Sequence, residues 1–315
     1  MNKMNVLFIG DIHIKFKNIK QVDILQSKLH ELTNIDLIVF AGDILDSHEK
    51  IETQLMNRAY ELIDELRSIA PVYILVGNHD YINNQQFLTT NHWMNGMKKW
   101  DNVYIVDTPI ETQHFVFVPY VPPGRFCEAL NFILDWKSKK CIFAHQEFKG
   151  CKMGAITSRD GDEWDLAWPM VISGHIHEKQ LPQKNIYYPG SVLNHAFGYD
   201  SQGLSLFNFD SDDVSEVKID LGFVKKKIIY MPIGKKIKDD DLVEHNKFSI
   251  SGTPSNIAEF KHTPQYQAMI SKNIKVVFRL EKITVPQTIY FPTILSQLIE
   301  NENNIELNQD FEIIS

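Results

Sequence analysis

Over roughly its first two hundred residues the chain alternates short, wholly apolar runs with longer stretches whose apolar residues recur every three or four positions. Val6-Leu7-Phe8-Ile9, Leu37-Ile38-Val39-Phe40 and Val72–Val76 read as buried strands. They stop at Gly10-Asp11, Ala41-Gly42-Asp43 and Gly77-Asn78. Between them, residues 18–33 carry Ile24, Leu25, Leu29 and Leu32 at helical spacing, and residues 51–69 carry Leu55, Leu62, Ile63, Leu66 and Ile69. Pro71 stops the second helix. Strand, helix, strand, helix, strand at this spacing predicts parallel pairing through crossover helices, with functional residues gathered beyond the carboxyl ends of the strands.

Strands dominate after residue 103: Val103–Val106, Phe115–Val118, Cys141–Ala144, Val171–Ser173, Ile186–Tyr188, Leu204–Phe209 and Val214–Leu221, with one helix over Phe126–Trp136. A second sheet packed on the first is the natural way to bury them. From Lys225 onward the composition shifts: 12 Lys/Arg against 11 Asp/Glu, where the preceding part carries a net −9. Strands at Ile228–Ile233 and Ile274–Leu280, with helical pieces around 255–271 and 292–301, predict a small α/β domain. The expected organisation is a main domain over 1–222 and a small one over 223–315. Lys225-Lys226-Lys227 reads as a solvated strand edge.

Composition narrows the class. With 43% hydrophobic and 23% charged residues, the 315-residue chain is neither disordered nor collagen-like nor a coiled coil. A formal charge of −8 gives little non-specific affinity for nucleic acid, so any such role must come from a local site. The three cysteines, Cys127, Cys141 and Cys151, show no CxxC spacing and read as free thiols in a reducing compartment. The N-terminus has no secretory h-region and no apolar run approaches a membrane span, so a soluble, cytoplasmic or otherwise intracellular protein is expected.

The chemistry sits at strand ends. Gly-Asp-Ile-His supplies Asp11 and His13, Gly-Asp-Ile-Leu-Asp supplies Asp43, and Gly-Asn-His-Asp supplies Asn78 and His79. His145 follows a fourth strand, and Gly-His-Ile-His places His175 and His177 after a fifth. Any one such residue alone is ordinarily a turn residue or helix cap. Together they are a set of polar groups that burial would penalise without a shared compensating charge. Mixed Asp, Asn and His donors suit borderline divalent ions such as Mn²⁺, Fe²⁺ or Zn²⁺. Two such ions about 3.5–4 Å apart form a clamp for phosphate-ester displacement.

The series GDIH, GDILD, GNHD, a strand-borne His and GHIH resembles the calcineurin-like metallophosphoesterases over about residues 4–210. The resemblance implies a four-layer αββα sandwich of two mixed β-sheets, here with a small C-terminal α/β cap. It implies two divalent ions, Mn²⁺ first and Fe²⁺, Zn²⁺ or Mg²⁺ as alternatives. Asp11, His13 and His177 would hold one ion and Asn78, His145 and His175 the other, with Asp43 bridging. His79 matches the family's catalytic histidine. Asp46 matches its dyad partner, and Asp80 is the weaker candidate for that place.

Within the family, Tyr188-Pro189-Gly190-Ser191 with Asn194-His195-Ala196-Phe197-Gly198 resembles the substrate-side loop of SbcD-type double-strand-break-repair nucleases and their phage and viral relatives. The segment His145–Gly150 resembles the viral and phage variants. Ser47 stands where phosphoprotein phosphatases place an Arg, which argues against that branch. The resemblance therefore implies a nuclease with DNA as substrate and Ser191, His195 and Arg125 as substrate contacts. His48 reads as solvated, and Trp164 and Trp168 as core rather than base-stacking residues. A homodimer and an SMC-like ABC ATPase are the partners the resemblance offers, the latter weakened by a short C-terminal extension. The alternatives are a phosphodiesterase or phosphatase for small nucleotides or phosphoproteins and, from another class, a scaffold that keeps the fold without catalysis.

Overall fold

The apolar runs of the first hundred residues become the parallel heart of a six-stranded sheet. The structure, a computed structural model, describes residues 3–48, 50–195, 202–210 and 213–281. β1 (Met4–Ile9), α1 (Ile19–Leu29), β2 (Leu37–Phe40), α2 (Thr53–Ile69), β3 (Val72–Leu75) and β4 (Val103–Val106) follow the predicted alternation, and β1 to β4 pair in parallel. Then come β5 (Ile110–Glu111), β6 (Phe115–Val118), α3 (Phe126–Leu130), β7 (Cys141–His145) and a ribbon of β8 (Lys152–Met153) and β9 (Ile156–Thr157). β10 (Met170–Gly174), β11 (Gln180–Gln183), β12 (Ile186–Tyr188), β13 (Leu204–Phe209) and β14 (Val214–Ile219) complete this part.

The first sheet runs β14-β13-β1-β2-β3-β4 and the second β11-β12-β10-β7-β6-β5. Both are mixed: β13 lies antiparallel to β1, and β11 and β5 are antiparallel edges on a parallel centre. Parallel strands buried on both faces must be apolar at every position, and β1 shows the division. Val6 and Phe8 face the other sheet, where Phe115, Phe117 and Phe143 meet them, while Leu7 and Ile9 pack beneath α1 and α2. Tyr73 stacks on Phe117 at 4.1 Å between ring centroids, joining the sheets. Each fully buried aliphatic or aromatic side chain of this kind contributes about 1.5–3 kcal/mol of transfer free energy. Two mixed sheets, helices outside the first and α3 with Trp136 and Trp164 outside the second, give the expected layered α/β architecture.

Details depart from the periodicity. Ile24 is exposed, and α1 buries Val22, Leu25 and Leu29 instead. The helix expected over Phe126–Trp136 ends at Leu130. Beyond it, Phe132 N–H and Ile133 N–H bond three residues back to Ala129 and Leu130. This tighter winding swings Ile133 and Trp136 into the core and leaves Leu134 in solvent. Trp164 is buried, donates Nε1–H to Pro169 O at 2.9 Å and packs with Trp136 and Trp168. Lys225–Lys227 precede a strand rather than lining one. The three cysteines are free. No helix among the described residues is long and apolar enough to cross a membrane.

The chain divides into two compact units, one ending at Ile228 and the other beginning at Ile229. In the second, β15 (Ile228–Pro232), β16 (Lys247–Gly252) and β17 (Lys275–Leu280) form a three-stranded sheet with α4 (Pro254–Phe260) and α5 (Pro264–Ser271). Met231, Phe248, Ile250, Phe260, Met269 and Ile274 make its core. Thr253 and Thr263 cap the two helices, each followed by a proline at the first helical position. The sequence reading missed β16, whose Phe248 and Ile250 are separated by serine. The helix expected over 292–301 lies outside the described residues.

Candidate metal centre

Because β1, β2 and β3 run parallel in one sheet and β7 and β10 run parallel in the other, all five carboxyl ends reach the same edge of the sandwich. Asp11 and His13 follow β1, Asp43 follows β2, and Asn78 and His79 follow β3. His145 ends β7, and His175 and His177 follow β10. The chain leaves these strands under constraint. His13, Asp43 and His175 adopt positive φ of 43°, 50° and 77°, a left-handed conformation that costs a non-glycine residue of order 1–3 kcal/mol. Close approach explains two of the motif glycines. A Cβ on Gly77 would fall 2.3 Å from Asp43 Oδ1, and one on Gly174 would fall 2.8 Å from Asp11 Oδ1.

The structure brings all seven expected donors together. Asp11, His13 and His177 form one group: His177 Nε2 lies 3.4 Å from Asp11 Oδ2 and 3.1 Å from His13 Nε2. Asp43, His145 and His175 form another, and Asn78 Oδ1 joins it at 3.1 Å from His145 Nε2 and 2.9 Å from His175 Nδ1. Asp43 Oδ2 stands between, 3.5 Å from His13 Nε2 and 3.4 Å from His145 Nε2. Neighbouring groups aim the ligands. His145 Nδ1 lies 2.6 Å from Ala41 O; a carbonyl only accepts, so Nδ1 carries the proton and Nε2 faces the pocket. His175 N–H donates to Asp11 Oδ1 at 3.1 Å, and His79 N–H to Asp43 Oδ1 at 2.8 Å.

The electrostatics call for cations. Burial opposes charge on Asp11 and Asp43, yet the facing histidines, His145 foremost, hold both carboxyls well below their usual range. Burial likewise opposes charge on His145, but Asp43 and Asp11 raise it to about 9. Burial pushes His13 and His175 down to about 4, toward the neutral imidazoles that ligate metals. Asp11 Oδ2 and His13 Nδ1 are buried with no hydrogen-bond partner among the described residues, and two ring nitrogens face each other at 3.1 Å. A buried carboxylate oxygen without a hydrogen bond, beside ring nitrogens that face one another, is costly unless something positive stands among them. Carboxylate, carboxamide and imidazole donors in this mixture fit borderline divalent cations.

His79 also groups with His13 and Asp43 by distance. Its Nδ1, however, lies 2.9 Å from the Asp46 backbone carbonyl, which fixes the proton on Nδ1 and leaves Nε2 free. Here the expected dyad is corrected. The Asp46 carboxylate turns to Lys15 Nζ at 2.7 Å and His13 Nδ1 at 3.6 Å, so Asp46 orients His79 through its main chain rather than its side chain. Asp80 is a buried brace: its oxygens accept from Ile44 N–H, Gly77 N–H and Trp93 Nε1–H, tying the loops after β2 and β3 together. Burial and then the Asp43 charge push it up to about 7. Trp93 carried no motif and was missed.

The expected substrate contacts fall differently. His195 joins the site, with Nε2 at 3.1 Å from Asp11 O and its ring against His13 and His177. Ser191 is buried, and its hydroxyl donates to Leu193 O at 2.9 Å, holding the loop rather than facing a substrate. Arg125 is paired through two bonds to Glu128 and stands over the Phe87 ring, so its charge is already matched. His48, expected in solvent, is half-buried and stacks on His79 with centroids 4.5 Å apart. Ala196, Phe197 and Gly198 lie outside the described residues.

Residues 4–179 match the family model of the calcineurin-like phosphoesterases, a span that contains all seven donors and His79. Two viral proteins are similar over most of the chain. "Putative phosphoesterase 244L" of invertebrate iridescent virus 6 is 52% identical over 252 residues, covering 76% of this chain and 88% of that protein. "Putative phosphoesterase 078R" of invertebrate iridescent virus 3 is 43% identical over 300 residues, covering 90% and 86% respectively. The chain belongs to the calcineurin-like phosphoesterase family.

Proposed function

We propose that the protein is a two-metal phosphodiesterase acting on nucleic acid, a DNA exo- or endonuclease of repair or recombination with Mn²⁺ as its ion. The observation that carries this reading is the place of Asp43: one carboxylate oxygen lies within 3.5 Å of a histidine nitrogen from each donor group, so it can serve both. Asp11, His13 and His177 would hold one cation and Asn78, His145 and His175 the other. Bound there, the pair would supply positive charge against the phosphoryl oxygens and a water acidified toward neutrality.

The chain's own residues supply the rest. His79, tied at Nδ1 to Asp46 O, presents Nε2 beside the pocket at a fixed angle. In hydrolysis a water gives up one proton to solvent as its oxygen bonds to phosphorus, the P–O bond to the leaving group breaks, and His79, protonated on both nitrogens with Nδ1–H held by Asp46 O, gives its Nε2 proton to the departing oxygen. Solvent then restores that proton. Such positioned proton transfer contributes about 10²–10⁴-fold.

A polyanionic substrate is favoured by the flank near His195. A cavity of about 320 Å³ there is lined by Lys218 and Lys225 beside Asn194 and Asp220, with Lys179 on its wall paired to Glu216 at 2.8 Å. Lys218 Nζ donates to Pro189 O at 3.0 Å, linking this basic wall to the loop that resembles the nuclease loop. The test is hydrolysis of linear and circular DNA and of bis-p-nitrophenyl phosphate with Mn²⁺, with and without chelator. Chelator-sensitive cleavage of the chromogenic diester and of linear DNA is expected, with circular DNA cut by an endonuclease and spared by an exonuclease. Cleavage of the chromogenic diester with no nucleic acid touched would overturn the nuclease and leave a phosphodiesterase.

A further inference from the structure

Beside His79 lies a groove that the mechanism does not use. It has a volume of about 560 Å³, within the roughly 300–1,000 Å³ of small-molecule sites, and is lined by His48, Lys50, Ile82, Asn83, Asn84 and Gln85. Two contacts join it to the reacting centre. The His48 ring stacks on His79 at 4.5 Å and 17°, and Asn84 Oδ1 accepts from Asn78 Nδ2 at 3.4 Å. The groove therefore adjoins both His79 and the donor Asn78.

Its lining has a definite chemical character. Ile82 presents an apolar surface 44% exposed. Asn83 spends Oδ1 on Gln85 N–H and Gln86 Nε2–H, and Asn84 spends Oδ1 on Asn78. Among the described residues neither amino group has a protein acceptor, and Lys50 forms no ion pair. The groove thus offers carboxamide donors, one cation and an apolar face. That combination suits a nucleoside, whose base edges and sugar oxygens accept hydrogen bonds and whose base has apolar faces, with the next phosphate for the lysine.

We propose that this groove is the subsite for the departing nucleoside, so that it selects nucleotidyl leaving groups over simple ones; the proposal rests on the nuclease reading. The experiment compares two Mn²⁺-dependent substrates that share a retained thymidine 5′-phosphate: the 5′-phosphorylated dinucleotide pTpT, whose departing thymidine carries the next phosphate, and thymidine 5′-(p-nitrophenyl phosphate), which releases nitrophenolate. The ratio of their kcat/KM values is measured in wild type, Ile82→Asp, Lys50→Glu and Lys50→Arg. Binding energy from the leaving nucleotide enters only the first substrate. The ratio is expected to fall about tenfold or more in Ile82→Asp and Lys50→Glu, chiefly through the KM for pTpT, and to hold in Lys50→Arg. A ratio within twofold of wild type in both charge variants overturns the subsite and leaves the nuclease standing. If wild type cleaves the nitrophenyl ester but neither pTpT nor DNA, the nuclease reading itself fails and the subsite falls with it.

Discussion

The two donor groups of the pocket differ in how well they are satisfied without a cation. In the group of Asn78, His145 and His175, the Asn78 oxygen already meets both histidines, and Ala41 O holds His145 from behind. In the group of Asp11, His13 and His177, the centre is a carboxylate rather than a neutral carboxamide, and among the described residues Asp11 Oδ2 has no hydrogen-bond partner, with His177 Nε2 nearest at 3.4 Å. A cation entering the Asn78 group must displace its hydrogen bonds; one entering the Asp11 group relieves an unmet demand and meets a formal negative charge. The Asp11 group should hence bind its ion more tightly. Preorganisation and affinity are separate properties, and titration should show the better-ordered group to be the weaker binder.

The largest effect is expected where the groups meet. Asp43→Asn removes the charge they share, so turnover should drop on the order of 10³-fold or more and both cations should weaken, as read by kinetics and metal titration. Were only one cation to weaken, Asp43 would belong to a single group.

His79→Ala comes next. Turnover of DNA should fall about 10²–10⁴-fold with metal stoichiometry unchanged, and less for nitrophenyl esters, whose leaving group needs no proton. An equal loss on both substrates would remove the proton-donor role.

The smallest effect concerns pH in chelated protein. The folded value of His145 is raised from 6.5 to about 9, so its imidazolium stabilises the fold fully below about 6.5 and loses that contribution as pH rises through about 9. A thermal-melting profile in chelator should decline across that window, and a His145→Gln variant should flatten it.

Much of this was legible in the chain. Each donor motif follows an apolar run too short for a helix, and all but that of His145 open with Gly-Asp, Gly-Asn or Gly-His, which places them at strand carboxyl ends whatever the tertiary details. What was not legible depends on where side chains turn. Asp46 looked like a carboxylate partner for His79, but Lys15 captures its side chain and only its carbonyl reaches the ring. Arg125 and Ser191 looked free, yet a neighbouring Glu128 and the loop's own Leu193 carbonyl use them. His48 and Trp93 belong to no motif; their roles arise from a stack and one hydrogen bond across many residues. The helix expected through Trp136 failed because apolar periodicity does not distinguish α from tighter 3₁₀ winding.

The most direct test is calorimetric titration of the chelated protein with Mn²⁺, alongside Asp11→Asn and Asn78→Ala. Two cations per chain are expected, with Asp11→Asn abolishing the tighter step and Asn78→Ala abolishing the weaker one. A single cation per chain, or loss of the tight step in Asn78→Ala alone, contradicts two donor groups meeting at Asp43.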